Sequence, residues 1–308
     1  MLLWKRSLPT KRHVNFPEMN NNDSITWREM LSSTSDIVGD RIVAKWLCEH
    51  AAGVNSTEWL DILDEDVTER CGLHLDEMMR RYLAGEPLQY VLGRWAFRHL
   101  DLLVDTRVLI PRPETEQLVD LVIDFLHEHT PQGGDPLTAV DLGTGSGAIG
   151  LSLLTEMPLG TVEVWLTDAS QDAIDVAQAN IAGIGRAGMY GHITLGGWYE
   201  ALPRSLQNKV DVVVSNPPYI ADNDPDIENI VRTWEPSSAL FAGTDGLSDI
   251  RVIVANARKW LRSGGLLAIE IGHRQSDEVV SLFEIAGFNK IQKHADATGI
   301  SRFVTAVA

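Results

Sequence analysis

The chain has 308 residues, enough for two domains that each bury a core of their own. Its apolar fraction of 44% and charged fraction of 22% are typical of a globular protein. No apolar run approaches the roughly 20 residues that a membrane span needs. The formal net charge of −17 argues against a protein that works on nucleic acid, because phosphate binding needs clustered lysines and arginines.

The amino-terminal part of the chain bears on its compartment. Cys48 and Cys71 lack a CxxC spacing, and we expect free thiols in a reducing cytosol rather than a disulfide or a metal site. Residues 1–12 carry four basic side chains and no acid, but no apolar segment follows, which argues against a secretory signal. We expect residues 1–23 to be a disordered leader of a cytoplasmic protein. A targeting segment and a start codon assigned too far upstream stay open.

Residues 24–85 are predicted to form a small helical bundle, a unit that more often binds a partner or substrate than carries out chemistry. Thr26 and Glu29 have the spacing of a capping box, whose reciprocal hydrogen bonds start a helix. Apolar residues then recur at helical spacing, and Gly85 and Pro87 would end the last helix. The predicted helices begin after Thr26, span residues 36–50, run from Ser56 or Thr57 to Leu63, and span residues 67–83.

Residues 86–112 are predicted to form a hairpin that links the bundle to the rest of the chain. Its apolar segments are residues 90–92, Phe97 and residues 102–104, which lie on either side of a polar turn at Arg98. Short apolar segments separated by a polar turn are typical of two antiparallel strands.

From residue 113 onward, helices and strands alternate. Alternation over this length is typical of an α/β fold, a doubly wound Rossmann-like parallel sheet with right-handed crossovers. The last two strands, joined by a turn at Gly299, predict a C-terminal antiparallel hairpin, which departs from the standard dinucleotide-binding order. Strands are predicted over residues 138–142, 162–167, 193–195, 210–215, 266–271, 288–294 and 302–306, helices over 113–129, 147–156, 170–183, 246–262 and 275–286, and a loop over 131–136.

The first predicted strand of this sheet runs into a glycine-rich turn. Glycines at residues 143, 145 and 147 let the backbone approach a ligand closely and leave helix N–H groups pointing at it. The spacing is GxGxG rather than the dinucleotide GxGxxG, and Asp141 precedes it where it would repel a pyrophosphate. A carboxylate at that position suits a ligand with a positive amino group, such as the methionine part of S-adenosylmethionine.

Two further residues extend this predicted cofactor site. Asp168 ends the next strand, where an acid about 20 residues past the glycine turn can accept hydrogen bonds from both ribose hydroxyls. It could instead cap the helix that begins near Ser170. Trp198 follows Gly196 and Gly197 just after the third strand, where an adenine ring would lie.

The tetrapeptide Asn216-Pro217-Pro218-Tyr219, after the predicted strand 210–215, is the most specific motif in the chain. Consecutive prolines remove two N–H donors and stiffen the loop, so that the preceding carbonyls point outward. Together with the side-chain oxygen of Asn216 they offer two acceptors to one substrate NH2 group, and Tyr219 can stack on a planar group. The motif therefore predicts methylation of a nitrogen on a planar, amide-like centre.

Other functional classes fit the sequence less well. An adenine-N6 methyltransferase also acts on the NH2 of a planar group, but the acidic charge and small helical domain argue against it. Asp141, the glycine spacing and the terminal hairpin disfavour an NAD-dependent oxidoreductase, and the intact Asn216 motif disfavours a cofactor-fold protein without activity. The sequence has no HExxH motif, P-loop or Cys/His cluster, and we expect no metal.

These motifs resemble those of the HemK/PrmC protein-(glutamine-N5) methyltransferases, which act on peptide chain release factors. The resemblance runs from about residue 25 to the C-terminus, and residues 109–116 (LIPRPETE) are its most specific part. The related ribosomal-protein glutamine methyltransferases are similar through the sheet but differ there. The segments that carry the resemblance are residues 85–93, 108–116, 141–147, 216–220 and 270–272.

The resemblance implies a role for each motif. Residues 143–147 would hold the methionine end of S-adenosylmethionine, Asp168 its ribose and Trp198 its adenine. Many members carry an acid just before the tryptophan, whereas this chain has Gly197, so adenine recognition would rely on backbone and stacking. The implied cofactor-binding residues are Asp141, Gly143, Thr144, Gly145, Ser146, Gly147, Asp168, Trp198 and Asn216; the implied substrate-binding residues are Asn216, Pro217, Pro218 and Tyr219, of which Asn216, Pro217 and Tyr219 are the catalytic ones.

The resemblance also implies a domain plan and a reaction. Residues 24–85 would recognise the substrate, residues 86–112 would link, and residues 113–308 would form the methyltransferase domain. The reaction would be in-line transfer of the sulfonium methyl to the N5 nitrogen of the glutamine in the Gly-Gly-Gln motif of class 1 release factors. We expect release factors as the protein partner, no membrane and no direct nucleic-acid substrate. An adenine target and a ribosomal protein stay open as alternatives.

Overall fold

The computed structural model describes residues 24–129 and 134–308, which divide into two compact units between Gly93 and Arg94. The predicted leader over residues 1–23 lies outside the described residues, as does part of the predicted loop over 131–136. Within the described part of the chain, no helix is both long and apolar enough to cross a membrane.

The first unit is helical and packs around a core of its own. Its first three helices begin after capping residues, and the capping box of Thr26 and Glu29 is present as predicted. Trp27 and Trp59 meet edge to face at 5.8 Å between ring centroids, and both side chains are buried. The helices are α1 (Trp27–Val38), α2 (Arg41–Ala52), α3 (Glu69–Leu83) and α4 (Leu88–Leu92).

Two predictions for this unit were wrong. The single helix expected over residues 36–50 is divided between α1 and α2, because Gly39 adopts φ +75° and ends the first while Asp40 caps the second. The short helix expected up to Leu63 is a series of turns. There, the side-chain oxygen of Asn55 accepts hydrogen bonds from the backbone N–H groups of Thr57 and Glu58, which favours a turn.

The second unit begins with a two-stranded antiparallel hairpin, β1 (Arg94–Phe97) and β2 (Leu100–Leu103). Residues 90–92, predicted to belong to a hairpin strand, are instead the end of α4. The Asn180 Oδ1 accepts the backbone N–H of Leu103 at 2.7 Å, and its Nδ2 donates to the Leu103 carbonyl at 3.1 Å. The same Nδ2 donates to the Ser146 carbonyl at 2.8 Å. One amide therefore fastens the hairpin to the glycine-rich turn.

The main sheet has seven strands and confirms the predicted Rossmann-like fold. Strands in the order β5-β4-β3-β6-β7 run parallel, and β9 and β8 close the sheet as the predicted antiparallel hairpin. The central strand β6 is buried along its whole length, as expected where helices cover both faces. The strands are β3 (Leu137–Leu142), β4 (Val162–Asp168), β5 (Gly191–Leu195), β6 (Val210–Ser215), β7 (Leu261–Glu270), β8 (Asn289–Ala295) and β9 (Ser301–Val307).

The helices of this unit pack on the sheet through apolar faces, and two of their predicted ends were wrong. The helix expected over 113–129 begins at Thr115, so Pro113 precedes it. The helix expected to reach residue 262 ends at Ala257. Strand β7 begins at Leu261, before its predicted start, and its pairing with β6 shifts register between Val210 and Val212. The helices are α5 (Thr115–His129), α6 (Ala148–Glu156), α7 (Gln171–Gly183), α8 (Asn229–Trp234), α9 (Ser248–Ala257) and α10 (Ser276–Ile285).

The parallel strands place four segments at one edge of the sheet. Because β3, β4, β6 and β7 run in the same direction, the residues that follow or end them meet at their carboxyl ends, where ligands bind in such sheets. These residues are Gly143, Asp168, Asn216 and Glu270.

Candidate active site

A cavity of about 500 Å³ opens at the carboxyl ends of these strands. Three groups of the predicted cofactor residues line it: residues 143–146 of the glycine turn, Asp168 and Trp198; Gly147 is not among the lining residues. Asn216 and Pro218 line it as well, so the predicted cofactor and substrate motifs share one space. The cavity is therefore the candidate active site.

The glycine-rich turn between β3 and α6 needs its glycines for backbone shape. Gly143, Gly145 and Gly147 have φ of +70°, +56° and +88°, a region that other residues adopt only at a cost. A Cβ built on Gly145 would meet no atom within 4 Å, whereas one on Gly143 would lie 3.3 Å from the Trp198 ring. The turn thus leaves open space beside Gly145, and the indole packs close against Gly143.

Asp141 lies behind this turn and is not among the residues that line the cavity. Its Oδ2 accepts the Thr144 hydroxyl at 2.6 Å and the Gly150 N–H at 2.9 Å, while Oδ1 is buried with no hydrogen-bond partner among the described residues. Burial raises the pKa of Asp141 to about 6. The carboxylate supports the turn, and its predicted contact with the cofactor's amino group stays a prediction.

Asp168 connects the glycine turn to the start of α7. Its Oδ2 accepts the Gly145 N–H at 3.0 Å and its Oδ1 accepts the Ser170 N–H at 2.9 Å. The helix cap itself is the Ser170 hydroxyl. Burial raises the pKa of Asp168, and the backbone N–H groups oppose that rise because they favour the carboxylate. A carboxylate has about four acceptor sites, so capacity remains on the cavity side for ligand hydroxyls.

Trp198 is held in an uncommon backbone conformation, with φ +47°. The Thr167 hydroxyl donates to its carbonyl at 3.4 Å, and its indole lies beside Asp249, which also lines the cavity and whose pKa the indole lowers against the effect of burial. Sequence reasoning did not identify Asp249. These contacts fix the indole as one wall of the cavity.

The segment before α5 forms another wall. Val108, Leu109 and Pro111 line the cavity, and buried Glu235 holds this segment in place. One Glu235 oxygen accepts the backbone N–H of Ile110 at 3.1 Å, and the other accepts the guanidinium of Arg112 at 2.6 Å. The segment that is most specific to the family, residues 109–116, therefore contributes a wall of the cavity, and Glu235 holds that wall in place.

The Asn216-Pro217-Pro218-Tyr219 motif leaves the sheet directly after β6. Asn216 and Pro218 face the cavity, whereas Pro217 is buried and neither it nor Tyr219 is among the cavity-lining residues. The Tyr219 hydroxyl donates to Glu270 at 3.2 Å, and its carbonyl accepts from Gln275 at 3.0 Å. The predicted roles of Pro217 and Tyr219 in clamping the substrate stay predictions.

A buried hydrogen-bond network behind Asn216 was missed by the sequence reasoning. The Asn216 Nδ2 donates to the Thr115 hydroxyl at 3.2 Å, and that hydroxyl donates to Glu270 at 2.7 Å. Thr115 is 3% and Glu270 2% exposed. Both residues fall within segments that carry the family resemblance, and a glutamate directly after the apolar run 266–269 was the available signal.

Comparisons with known proteins match this architecture. Two family profiles match the chain: PrmC N-terminal domain over residues 26–93 and Methyltransferase small domain over residues 115–235. The catalytic domain of hMettl16 in complex with an MAT2A 3′UTR hairpin shares the fold, with a TM-score of 0.54 and 18% identity over 73% of this chain and 81% of that one.

Curated relatives cover most of the chain at higher identity. The release factor glutamine methyltransferase of Burkholderia pseudomallei is 37% identical over 85% of this chain and 90% of its own length. The Escherichia coli protein of the same name is 34% identical over 87% and 92%, and the Coxiella burnetii one is 38% identical over 75% and 79%. The chain thus belongs to the release factor glutamine methyltransferase family and is an S-adenosylmethionine-dependent methyltransferase.

Proposed function

We propose that this chain transfers the methyl group of S-adenosylmethionine to the side-chain N5 nitrogen of a glutamine, in the Gly-Gly-Gln motif of class 1 peptide chain release factors. The observation that carries the proposal is the placement of the Asn216 carboxamide in the same cavity as the glycine turn and Asp168. Family membership supports the choice of a glutamine amide over an adenine as the target.

The residues of the cavity fit the cofactor. The open space beside Gly145 admits the methionine end close to the backbone of the turn, and Asp168 has acceptor capacity for ribose hydroxyls. The fixed indole of Trp198 offers a flat surface for adenine. When bound, S-adenosylmethionine supplies an electrophilic methyl group on its sulfonium sulfur.

On the substrate side, Asn216 and Pro217 hold and orient the target amide. The nitrogen of a glutamine side chain is a weak nucleophile, because its lone pair is delocalised into the carbonyl. Hydrogen bonds from its NH2 to the Asn216 Oδ1 and the Pro217 carbonyl would point the nitrogen at the methyl group. Positioning of this kind can contribute roughly 7–11 kcal/mol. Neither acceptor is a base, so the nitrogen, which is positively charged and strongly acidic once it carries the methyl group, loses one proton to water after the transfer.

We further propose that the helical unit recognises the release factor and that the protein works in the cytoplasm. The unit carries exposed apolar side chains at Ile42, Leu60 and Leu73, of which Leu60 is 71% exposed. A family profile of its own matches this unit, over residues 26–93. Separate recognition and transfer units suit a protein substrate that must be both chosen and positioned.

The test is methylation of a purified release factor. The chain is incubated with radiolabelled S-adenosylmethionine and release factor, and the label is mapped by mass spectrometry. The matched control is a release factor whose Gly-Gly-Gln glutamine is replaced by glutamate, which should take up no label. Parallel incubations replace the release factor by nucleic acid or by ribosomal proteins. Label on nucleic acid, on a ribosomal protein in preference to the release factor, or on the control would contradict the proposal.

A further inference from the structure

We propose that Glu270 is a positioning residue for methyl transfer: through the Thr115 hydroxyl, its carboxylate fixes the Asn216 carboxamide with its oxygen free to accept from the target amide. The inference rests on the proposed function, because it concerns the residue that binds the target.

The three side chains come from three separate elements and form one continuous chain of hydrogen bonds. Glu270 ends β7, Thr115 begins α5, and Asn216 follows β6. The Glu270 Oε2 accepts the Thr115 hydroxyl at 2.7 Å, and the Thr115 oxygen accepts the Asn216 Nδ2 at 3.2 Å. Thr115 and Glu270 are almost completely buried; Thr115 and Asn216 both line the cavity, whereas Glu270 lies behind them. The network thus runs from the interior to the reaction space.

Hydrogen counting gives this network one arrangement when Glu270 is ionised. A threonine hydroxyl has one hydrogen, and an ionised carboxylate can only accept. Thr115 therefore donates its only hydroxyl hydrogen to Glu270, and its oxygen can only accept from Asn216. The Asn216 atom that faces Thr115 must then be the donor, Nδ2. The Asn216 Oδ1 has no hydrogen-bond partner among the described residues, so it is the atom left to accept from a target NH2 group.

The second carboxylate oxygen fixes Glu270 itself. The Tyr219 hydroxyl donates to Glu270 Oε1 at 3.2 Å, so both oxygens accept from a hydroxyl. Burial raises the pKa of the Tyr219 phenol, which keeps it a donor throughout the physiological range. With two donors facing it, the carboxylate is held in one rotamer, and this rigidity passes to Thr115 and Asn216.

Protonation of Glu270 removes the constraint. A carboxylic acid can donate its hydrogen to the Thr115 oxygen, and the Thr115 hydroxyl can then donate to Asn216. The carboxamide would have to turn over to present Oδ1 to Thr115, which would put Nδ2 toward the target amide. Two NH2 groups cannot hydrogen-bond each other productively. The ionised carboxylate therefore enforces the arrangement that binds the target, and the neutral acid does not.

Burial sets the pH range in which this change occurs. It raises the pKa of Glu270 to about 7, although the hydrogen bonds from Thr115 and Tyr219 lower it. The ionised fraction, and with it kcat, should therefore rise as the pH increases through about 7. The charged groups around the network are Arg302, which favours the carboxylate, Glu114, which disfavours it, and Arg112, which acts on Tyr219.

Two variants of Thr115 form a matched test. Thr115→Val keeps the shape and removes the hydroxyl, so kcat should fall roughly tenfold, the effect of losing about one hydrogen bond. The dissociation constant for the cofactor should change less than about twofold, because the Thr115 hydroxyl donates to Glu270 and the substitution leaves the glycine turn and Asp168 unaltered. Thr115→Ser restores the hydroxyl and should recover most of the lost rate. Equal kcat for Thr115→Val and the wild type would overturn the proposal.

A third variant, Glu270→Gln, tests the carboxylate. Glutamine keeps an oxygen that can accept from Thr115 but does not titrate near neutral pH. The wild-type kcat should rise between about pH 6 and pH 8.5, whereas that of Glu270→Gln should stay flat over the same range. An undiminished rise in Glu270→Gln would show that another group titrates, and would overturn the proposal.

A measurement that needs no substrate separates this inference from the proposed function. In the full chain labelled with 15N-asparagine, the Asn216 side-chain NH2 signal, assigned by its loss in Asn216→Asp, is followed by NMR as the pH is raised. It should shift with a midpoint near 7 in the wild type and not in Glu270→Gln. A shift without glutamine methylation would sink only the proposed function. Methylation with no shift would sink only the positioning role.

Discussion

Gly143 provides a test of how closely the cofactor turn and the Trp198 wall fit together. The residue has φ +70°, and a Cβ there would lie 3.3 Å from Cζ3 and 3.7 Å from Cη2 of the Trp198 indole. We predict that Gly143→Ala weakens S-adenosylmethionine binding roughly tenfold and also destabilises the fold. Both effects follow from one added methyl group, but they have different physical origins.

The expected size of each effect can be worked out separately. An alanine in the left-handed region costs roughly 1–2 kcal/mol of unfolding free energy. The Trp198 ring must also retreat by a few tenths of an ångström, and Asp249 beside the indole resists that movement. Stacking of a base on an aromatic side chain is worth about 1–3 kcal/mol, so partial loss accounts for the tenfold weaker binding.

Gly185→Ala is the matched control. Gly185 lies in the same unit with φ +61°, a Cβ there would meet no atom within 4 Å, and the residue does not line the cavity. It should lose a similar unfolding free energy in urea denaturation while its cofactor dissociation constant, measured by calorimetry, stays that of the wild type. If Gly143→Ala binds the cofactor as tightly as Gly185→Ala does, the reasoning about the Trp198 wall is refuted.

Three further predictions concern the cavity and its support. Asn216→Ala should reduce glutamine methylation below detection in a radiolabel assay while calorimetry shows largely intact cofactor binding; loss of both together would contradict the division of roles. Asp168→Asn should weaken cofactor binding by roughly 10–100-fold by calorimetry, since hydrogen bonds to a charged acceptor are worth about 1.5–3 kcal/mol; an unchanged affinity would exclude the ribose contact. The raised pKa of Asp141 means that the folded state binds more protons than the unfolded state between about pH 4 and pH 6. The wild type should therefore lose stability relative to Asp141→Asn as the pH rises through that window, and parallel unfolding curves at pH 4 and pH 7 would contradict this.

Much of the site could be predicted because its signals are local. Glycines 143, 145 and 147 are required by the backbone shape of one turn, and each adopts the left-handed conformation that the pattern indicates. Asp168 ends one mostly apolar strand and Asn216 directly follows another, so their position at the carboxyl end of a buried strand follows from the sequence alone. The strand–helix alternation then brings these ends together.

Element boundaries were less predictable where a single residue decides between two local structures. The apolar pattern continues across Gly39 and Asp40, and only their capping geometry shows that one helix ends and another begins. Likewise, Pro113 suits a helix start, but the helix begins two residues later at Thr115. That shift matters for function, because it makes Thr115 the first helical residue, where its hydroxyl bonds Glu270.

The network behind Asn216 could not be predicted, because it joins residues that are far apart in the chain. Thr115 and Glu270 are 155 residues apart, and Asn216 and Thr115 are 101 apart. Once the strand order is known, however, the register explains the meeting: Ser215 of β6 pairs with Ile269 of β7, so the next residue on each strand, Asn216 and Glu270, must be neighbours. A buried acid at that position would be costly without donors, and the hydroxyls of Thr115 and Tyr219 supply them. The sheet that places Asn216 in the cavity therefore also places beside it the charge that sets its orientation.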